Sequence, residues 1–204
     1  MATRSCSPDG SVNSYERAGY GVDGVDATEV EASWVVPDAE CGSAGFTIGV
    51  GMTDTVTGLG HTALVGTTVF CDYGEIYFTA GIDSNGTYPV QPDDLMHGSV
   101  TAKGNGLFAL TLENHTAGWT GTGSYLSQDI IHPRAIVELT ANFGNGQNSG
   151  SFPPITVSGA TVDGAPLADS APTRLVLIDP QGAPAVVPGQ FGPGSGEFTF
   201  TRAN

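Results

Sequence analysis

Glu138 closes the run Arg134-Ala135-Ile136-Val137-Glu138, and it is the side chain best suited to acid/base chemistry. A carboxyl group in apolar surroundings keeps its proton to higher pH and can give or take it during a reaction. Strand alternation puts Ile136 and Glu138 on one face and Val137 and Leu139 on the other. That pattern alone leaves open whether the Glu138 face meets a cleft or bulk water. Other chemistry-bearing residue types are dispersed. His61, His97, His115 and His132 lack paired metal-ligand spacing, so no metal is expected, and no cofactor is called for. His132, followed by Pro133, is the histidine nearest the Glu138 segment. Ser124, Ser127 and Ser149 lack the setting of a nucleophile elbow. Asn85-Gly86-Thr87 and Asn114-His115-Thr116 match a glycosylation pattern short enough to arise by chance.

The elements that must position Glu138 read as strands. Thr28–Val36 alternates, with Thr28, Val30, Ala32 and Trp34 facing one way and Glu29, Glu31 and Ser33 the other. Further strands are expected at Phe46–Met52, Thr62–Phe70, Glu75–Ile82, Gly98–Ala102, Leu107–Glu113, Ala135–Thr140, Ile155–Val162, Thr173–Ile178 and Glu197–Thr201. Asp72-Tyr73-Gly74 and Lys103-Gly104-Asn105-Gly106 read as hairpin turns. Few segments show helical periodicity, so the expected fold is all-β, an antiparallel sandwich or barrel. Residues 1–18 are polar and turn-rich and read as an irregular arm, with one domain over residues 19–204. Gly144–Gly150 reads as a long loop. Trp34 and Trp119 read as core and rim packing.

The chain has 204 residues, 30 of them Gly and 13 Pro, and a formal net charge of −15 with only six Lys and Arg. Such a balance repels phosphate backbones and anionic headgroups, so neither nucleic acid nor membrane is an expected partner. It also suits low pH, where carboxylates neutralise and few basic groups are left to repel one another. The first ten residues lack the apolar core of a signal peptide. Localisation is therefore expected to be cytoplasmic if Met1 is the native start, and secreted if a leader once preceded it. Nothing in the sequence fixes an oligomeric state. Three cysteines, Cys6, Cys41 and Cys71, cannot all pair within one chain.

Several segments, in order, resemble the eqolisins, the glutamic peptidases, in their bacterial form. They are Gly19-Tyr20, Ala32-Ser33-Trp34-Val35-Val36-Pro37, Phe78-Thr79-Ala80-Gly81-Ile82-Asp83, Pro92-Asp93-Asp94, Leu110 to Thr116, and the Arg134–Glu138 run. Val187-Pro188-Gly189 and Phe198-Thr199-Phe200 close the series. The resemblance implies a sandwich of two bent antiparallel sheets with a concave ligand cleft. It implies that Glu138 is the general base and acid, working in the family with a glutamine whose amide holds the oxyanion. It also implies a Cys41–Cys71 disulfide in an exported protein, against free thiols in a reducing cytosol.

The chain departs from the family at the cleft. The family's Trp and Asp of one strand fall on Thr47 and Gly51. Its Gln falls on Val65, with one residue of slack. A second Trp and a Glu fall on Gly81 and Asp83, and a third Trp on Ala135. Loss of one oxyanion donor costs on the order of 10²–10³ in rate. Thr67, two residues from Val65, is the expected stand-in, and Asp83 the expected carboxylate partner of Glu138, unless it serves only to start the turn at Asp83-Ser84-Asn85-Gly86. Three lost tryptophans, each burying roughly 150–250 Å², widen the expected cleft, formed by Thr47, Gly51, Val65, Gly81, Ala135 and His132. Three functions follow: Glu138 acid/base chemistry on a bulky small molecule (a cyclase, isomerase or hydrolase), an acid-acting endopeptidase, or a non-catalytic binder of a small-molecule or peptide ligand.

Overall fold

The computed structural model describes residues 9–24, 26–40, 45–56, 60–82, 87–141, 152–192 and 196–203. Sixteen strands form one continuous sheet among the described residues. They begin with β1 (Val12–Ser14), β2 (Arg17–Gly21), β3 (Glu29–Val35), β4 (Phe46–Thr53), β5 (Thr62–Asp72), β6 (Glu75–Ile82) and β7 (Thr87–Pro89). Next come β8 (Leu95–Gly104), β9 (Leu107–Asn114), β10 (Trp119–Leu126), β11 (Arg134–Ala141) and β12 (Ile155–Val162). The last four are β13 (Ala165–Pro166), β14 (Thr173–Ile178), β15 (Pro184–Pro188) and β16 (Phe198–Arg202). The expected all-β antiparallel architecture is what the chain adopts.

The strand path β10-β9-β8-β3-β12-β16-β15-β14-β2-β11-β4-β5-β6-β7 folds over on itself. The β3, β8 and β9 layer thereby packs on β4, β5 and β11. Between the layers lie Trp34, Ile48, Met52, Met96, Phe108, Leu110, Leu112 and Leu139, all fully buried. The Trp34 indole N–H donates to Thr67 Oγ1 at 3.1 Å across this core. Gly98 makes the close packing possible. A Cβ there would lie 3.0 Å from Trp34 Cη2 and 2.9 Å from Val65 Cγ2.

The expected irregular arm over residues 1–18 is corrected in part: Val12–Ser14 and Arg17–Gly21 are strands. β2 lies between β14 and β11, inside the sheet. All five of its residues are buried, so no polar/apolar alternation marks it. β1 pairs parallel to β14, with Val12 opposite Leu175. The turn joining β1 to β2 is held by Ser14 Oγ, which accepts from the backbone N–H groups of Glu16 and Arg17. The expected loop at Gly144–Gly150 lies outside the described residues.

Candidate functional site

Strand register assembles the concave face as a set of parallel rows. The central row runs Gly19, Glu138, Gly49, Gly66, Gly81, Thr87 across β2, β11, β4, β5, β6 and β7. One row over lie Arg17, Thr140, Thr47, Thr68, Thr79 and Pro89. On the other side lie Gly21, Ile136, Gly51 and Leu64. A lane without side chains thus runs from Glu138 across β4, β5 and β6, with hydroxyls on one flank and Leu64 on the other.

Crowded backbone enforces the lane. A Cβ on Gly49 would collide with the Val65 carbonyl oxygen, and one on Gly66 with that of Ile48. At the far end of the lane a hollow of about 320 Å³ is lined by Thr47, Thr62, Leu64, Gly66, Thr68 and Gly81. The Thr47 and Thr68 hydroxyls hydrogen-bond to each other at 2.8 Å along its wall.

Glu138 shares this face but does not line the hollow. Its side chain is buried, and Arg17 Nη1 approaches Oε2 to 3.0 Å. Gly19, opposite Glu138, has φ +141°, and a Cβ there would strike the Val137 carbonyl oxygen. The bare backbone lets Arg17, diagonal to Glu138 in the register, lie alongside it. Despite the short distance, no N–H is aimed at Oε2. That atom, Arg17 Nε, Arg17 Nη1 and Glu16 Oε2 are all buried without a hydrogen bond. Burial pushes the Glu138 carboxyl above the usual glutamate range, the Arg17 guanidinium pulls it back down, and the Glu16 charge adds to the rise.

Two expected cleft residues and the expected oxyanion donor are placed elsewhere by this geometry. Val65, Thr67 and Ala135 point to the opposite side of the sheet, into the core, and are fully buried. Thr67 is engaged by Trp34 and is no oxyanion donor to the groove. In the Leu64-Val65-Gly66-Thr67 segment the groove-facing positions are Leu64 and Gly66. A one-residue slip moves a side chain to the other face of a strand, so the residue of slack decided the matter.

Thr47 and Gly81 do line the hollow, and Gly51 lies on its face. His132 is an exposed loop residue 3.1 Å from Asp26. Asp83 and Cys41 lie outside the described residues. Cys71 is disulfide-bonded. Arg17, the nearest charged neighbour of Glu138, escaped sequence reasoning. The available signal was an isolated cation before Ala-Gly-Tyr-Gly in a chain with only six Lys and Arg. No group of three or more His, Cys, Asp or Glu among the described residues could hold a metal.

The fold is that of the eqolisin peptidases. The chain is similar to SCP-B, an eqolisin solved in complex with the tripeptide Ala-Ile-His, at TM-score 0.72 and 20% identity, covering 93% of this chain and 98% of that one. Scytalido-glutamic peptidase with a transition state analog inhibitor is similar at TM-score 0.71 and 19% identity, with the same coverage. A second structure of that enzyme, with a peptide-based analog, gives TM-score 0.68 and 21% identity. No protein-family model and no curated sequence matches the chain.

Proposed function

We propose that this protein binds an extended peptide in its concave groove without cleaving it. One observation carries the reading. The hollow is lined by Thr47, Thr62, Leu64, Gly66, Thr68 and Gly81, none of them titratable, while the carboxylate of the central row is buried against Arg17. General base catalysis needs a carboxylate within hydrogen-bond reach of the attacking water. It also needs a donor at the developing oxyanion. Gly66, which faces the groove where a donor would be needed, has no side chain, and the crowded backbone leaves no room for one. A peptide is favoured over a bulky small molecule because the lane is long and narrow-floored, and because a relative of this fold holds the tripeptide Ala-Ile-His.

The test is a capped peptide library scored for both retention and cleavage from pH 3 to 7. Retention without cleavage, lost when Thr68→Phe fills the hollow, is the expected result. Cleavage that disappears in Glu138→Gln would overturn the binding-only reading.

A second reading, acid/base chemistry by Glu138 on a small molecule, is favoured by one feature. Only Gly49 and its missing side chain separate Glu138 from Gly66, a distance of about 10 Å at ordinary strand spacing. Turnover that requires Glu138 but not the length of the ligand would select it.

A further inference from the structure

The outward face of β3, β8, β9 and β12, on the other layer from the groove, carries a linked set of hydroxyl, imidazole and carboxyl groups. Strand register sets Ser158, Ser33, His97 and Glu113 in one row across β12, β3, β8 and β9. Ser33 sits mid-strand, and this cross-strand register brings it to an imidazole: Ser33 Oγ lies 3.0 Å from His97 Nδ1. His97 Nε2 lies 3.6 Å from Glu31 Oε2, and Glu31 Oε1 accepts from Thr161 Oγ1 at 3.0 Å. A carboxylate on the Nε2 side favours the tautomer with its proton there, which leaves Nδ1 to accept from the serine hydroxyl. His115 stands edge-on to His97, with ring centroids 6.1 Å apart and planes at 78°, and its Nε2 lies 3.5 Å from Glu113 Oε2. Ser33, His97 and Ser158 are half-buried, held by their neighbours yet reachable from solvent. One row further, Val35 and Leu95 face each other and remain 43% and 41% exposed, an apolar shelf beside the serine.

We infer that Ser33 is a nucleophile activated by His97, and that this face is an acyl-transfer site for small activated esters, independent of the groove. The row supplies a nucleophile bonded to a base, and a carboxylate behind the base. Ser33 Oγ attacks the ester carbonyl, and its proton passes to His97 Nδ1. The bond from Oγ to the acyl carbon forms, the ester C–O bond breaks, and the leaving alcohol or phenol takes the proton from Nδ1. Water then attacks the acyl carbon and gives a proton to Nδ1. The bond to Oγ breaks, the carboxylic acid departs, and the imidazolium returns its proton to Ser33 Oγ. Ser158, opposite Ser33 on the side away from His97, offers a hydroxyl to the carbonyl oxygen as charge develops there. Glu31 touches no substrate and is a positioning residue: it holds the ring and stabilises the imidazolium, and Thr161 holds Glu31 in turn. The acyl chain lies on Val35 and Leu95. A shallow shelf suits short apolar acyl groups, and a single hydroxyl as oxyanion donor requires a good leaving group.

The probe is p-nitrophenyl butyrate, with nitrophenol release followed by absorbance and the butyryl adduct located by peptide mapping. The adduct is expected on Ser33 and is expected to be missing from Ser33→Ala. Ser124→Ala, which removes an exposed serine of β10, should leave the rate unchanged. His97→Gln should slow acylation by about 10²-fold and flatten its pH profile. Glu31→Gln should keep the adduct on Ser33 but move the profile to lower pH, because the imidazolium loses the carboxylate beside it. A purely structural Glu31 would leave the profile in place. Ser158→Ala should slow acylation by about tenfold or more. Thermal unfolding of each variant establishes that it is folded. An adduct confined to Lys103, the N-terminus or a histidine overturns the proposal, as does the absence of any adduct. Equal rates of Ser33 acylation in the wild type and in His97→Gln would reduce Ser33 to an ordinary surface hydroxyl and sink it as well.

Discussion

Arg17 Nη1 lies 3.0 Å from Glu138 Oε2, inside the sheet and on its concave face. The pair joins the acidic residue of a peptidase-type scaffold to a strand near the N-terminus. It also shields that acid from the groove. Two buried charges held together without hydrogen-bond alignment recover little of their desolvation cost, and removing one strands the other.

Replacing Arg17 with Leu should therefore destabilise the fold at neutral pH by about 3–5 kcal/mol. The deficit should shrink on acidification, because a protonated Glu138 needs no counter-ion. Urea unfolding at pH 7 and pH 4 checks this. An equal deficit at both values would mean that Arg17 matters through packing alone.

The pH profile of the native protein carries two opposite slopes. Glu138 has a folded-state value above its unfolded 4.5, so its contribution to stability is complete below that value and is lost as pH rises through the folded one. Asp163 is lowered from 3.8. Burial works against that shift, but it is outweighed by hydrogen bonds from the Thr28 hydroxyl and the Thr28 and Glu29 N–H groups at 2.6–2.8 Å. Its contribution is present above the unfolded value and is lost as pH falls. The Glu138→Gln profile should be flatter on the neutral side, and the Asp163→Asn profile flatter on the acid side, when unfolding free energy is measured from pH 3 to 8.

Thr67→Val should cost about 1–3 kcal/mol, because the buried Trp34 indole N–H loses its acceptor. Peptide retention should not change, since Thr67 faces the core. Loss of retention without loss of stability would return Thr67 to the groove.

Gly19→Ala should be among the more damaging single substitutions, at about 3 kcal/mol or more. It combines φ +141° with a collision at the Val137 carbonyl oxygen. Gly118→Ala, with positive φ but open space around it, should cost about 1 kcal/mol. Chemical denaturation of the two variants side by side separates backbone conformation from crowding.

For Cys71, the proposed partner is Cys41. A non-reduced peptide map should link the two, and reduction should lower stability by about 2–5 kcal/mol. A link from Cys71 to Cys6 would instead tie the N-terminal segment to the β5–β6 hairpin.

The strands with clean alternation were legible in sequence, Glu29–Val35 above all, while Arg134–Ala141, covered on both faces, was legible as a short apolar run. Period-2 patterning survives wherever one face is core and the other is not. It fails where both faces are covered, as in Arg17–Gly21, and where a strand is built of Gly, Ser and Thr, as in Trp119–Leu126. The Pro-flanked Pro184–Pro188 strand gave no signal for a related reason. At the site, Glu138 and Thr47 came onto the concave face together, because the register of β11 on β4 sets their rows side by side. Val65 did not, because one residue of slack is enough to turn a strand residue from groove to core. The pairing of Arg17 with Glu138 joins residues 121 positions apart (138 less 17) and was beyond any local pattern.

Gly121 of β10 lies on the inner side of the sheet, where a Cβ would come within 2.6 Å of Ile82 and 2.7 Å of Tyr88. The two ends of the strand path are thereby pressed face against face, with no room for a methyl group between them. A side chain at Gly121 would have to displace Ile82, the chain neighbour of the Gly81 that lines the hollow, so the wall of the hollow is backed from behind by a strand that never touches it.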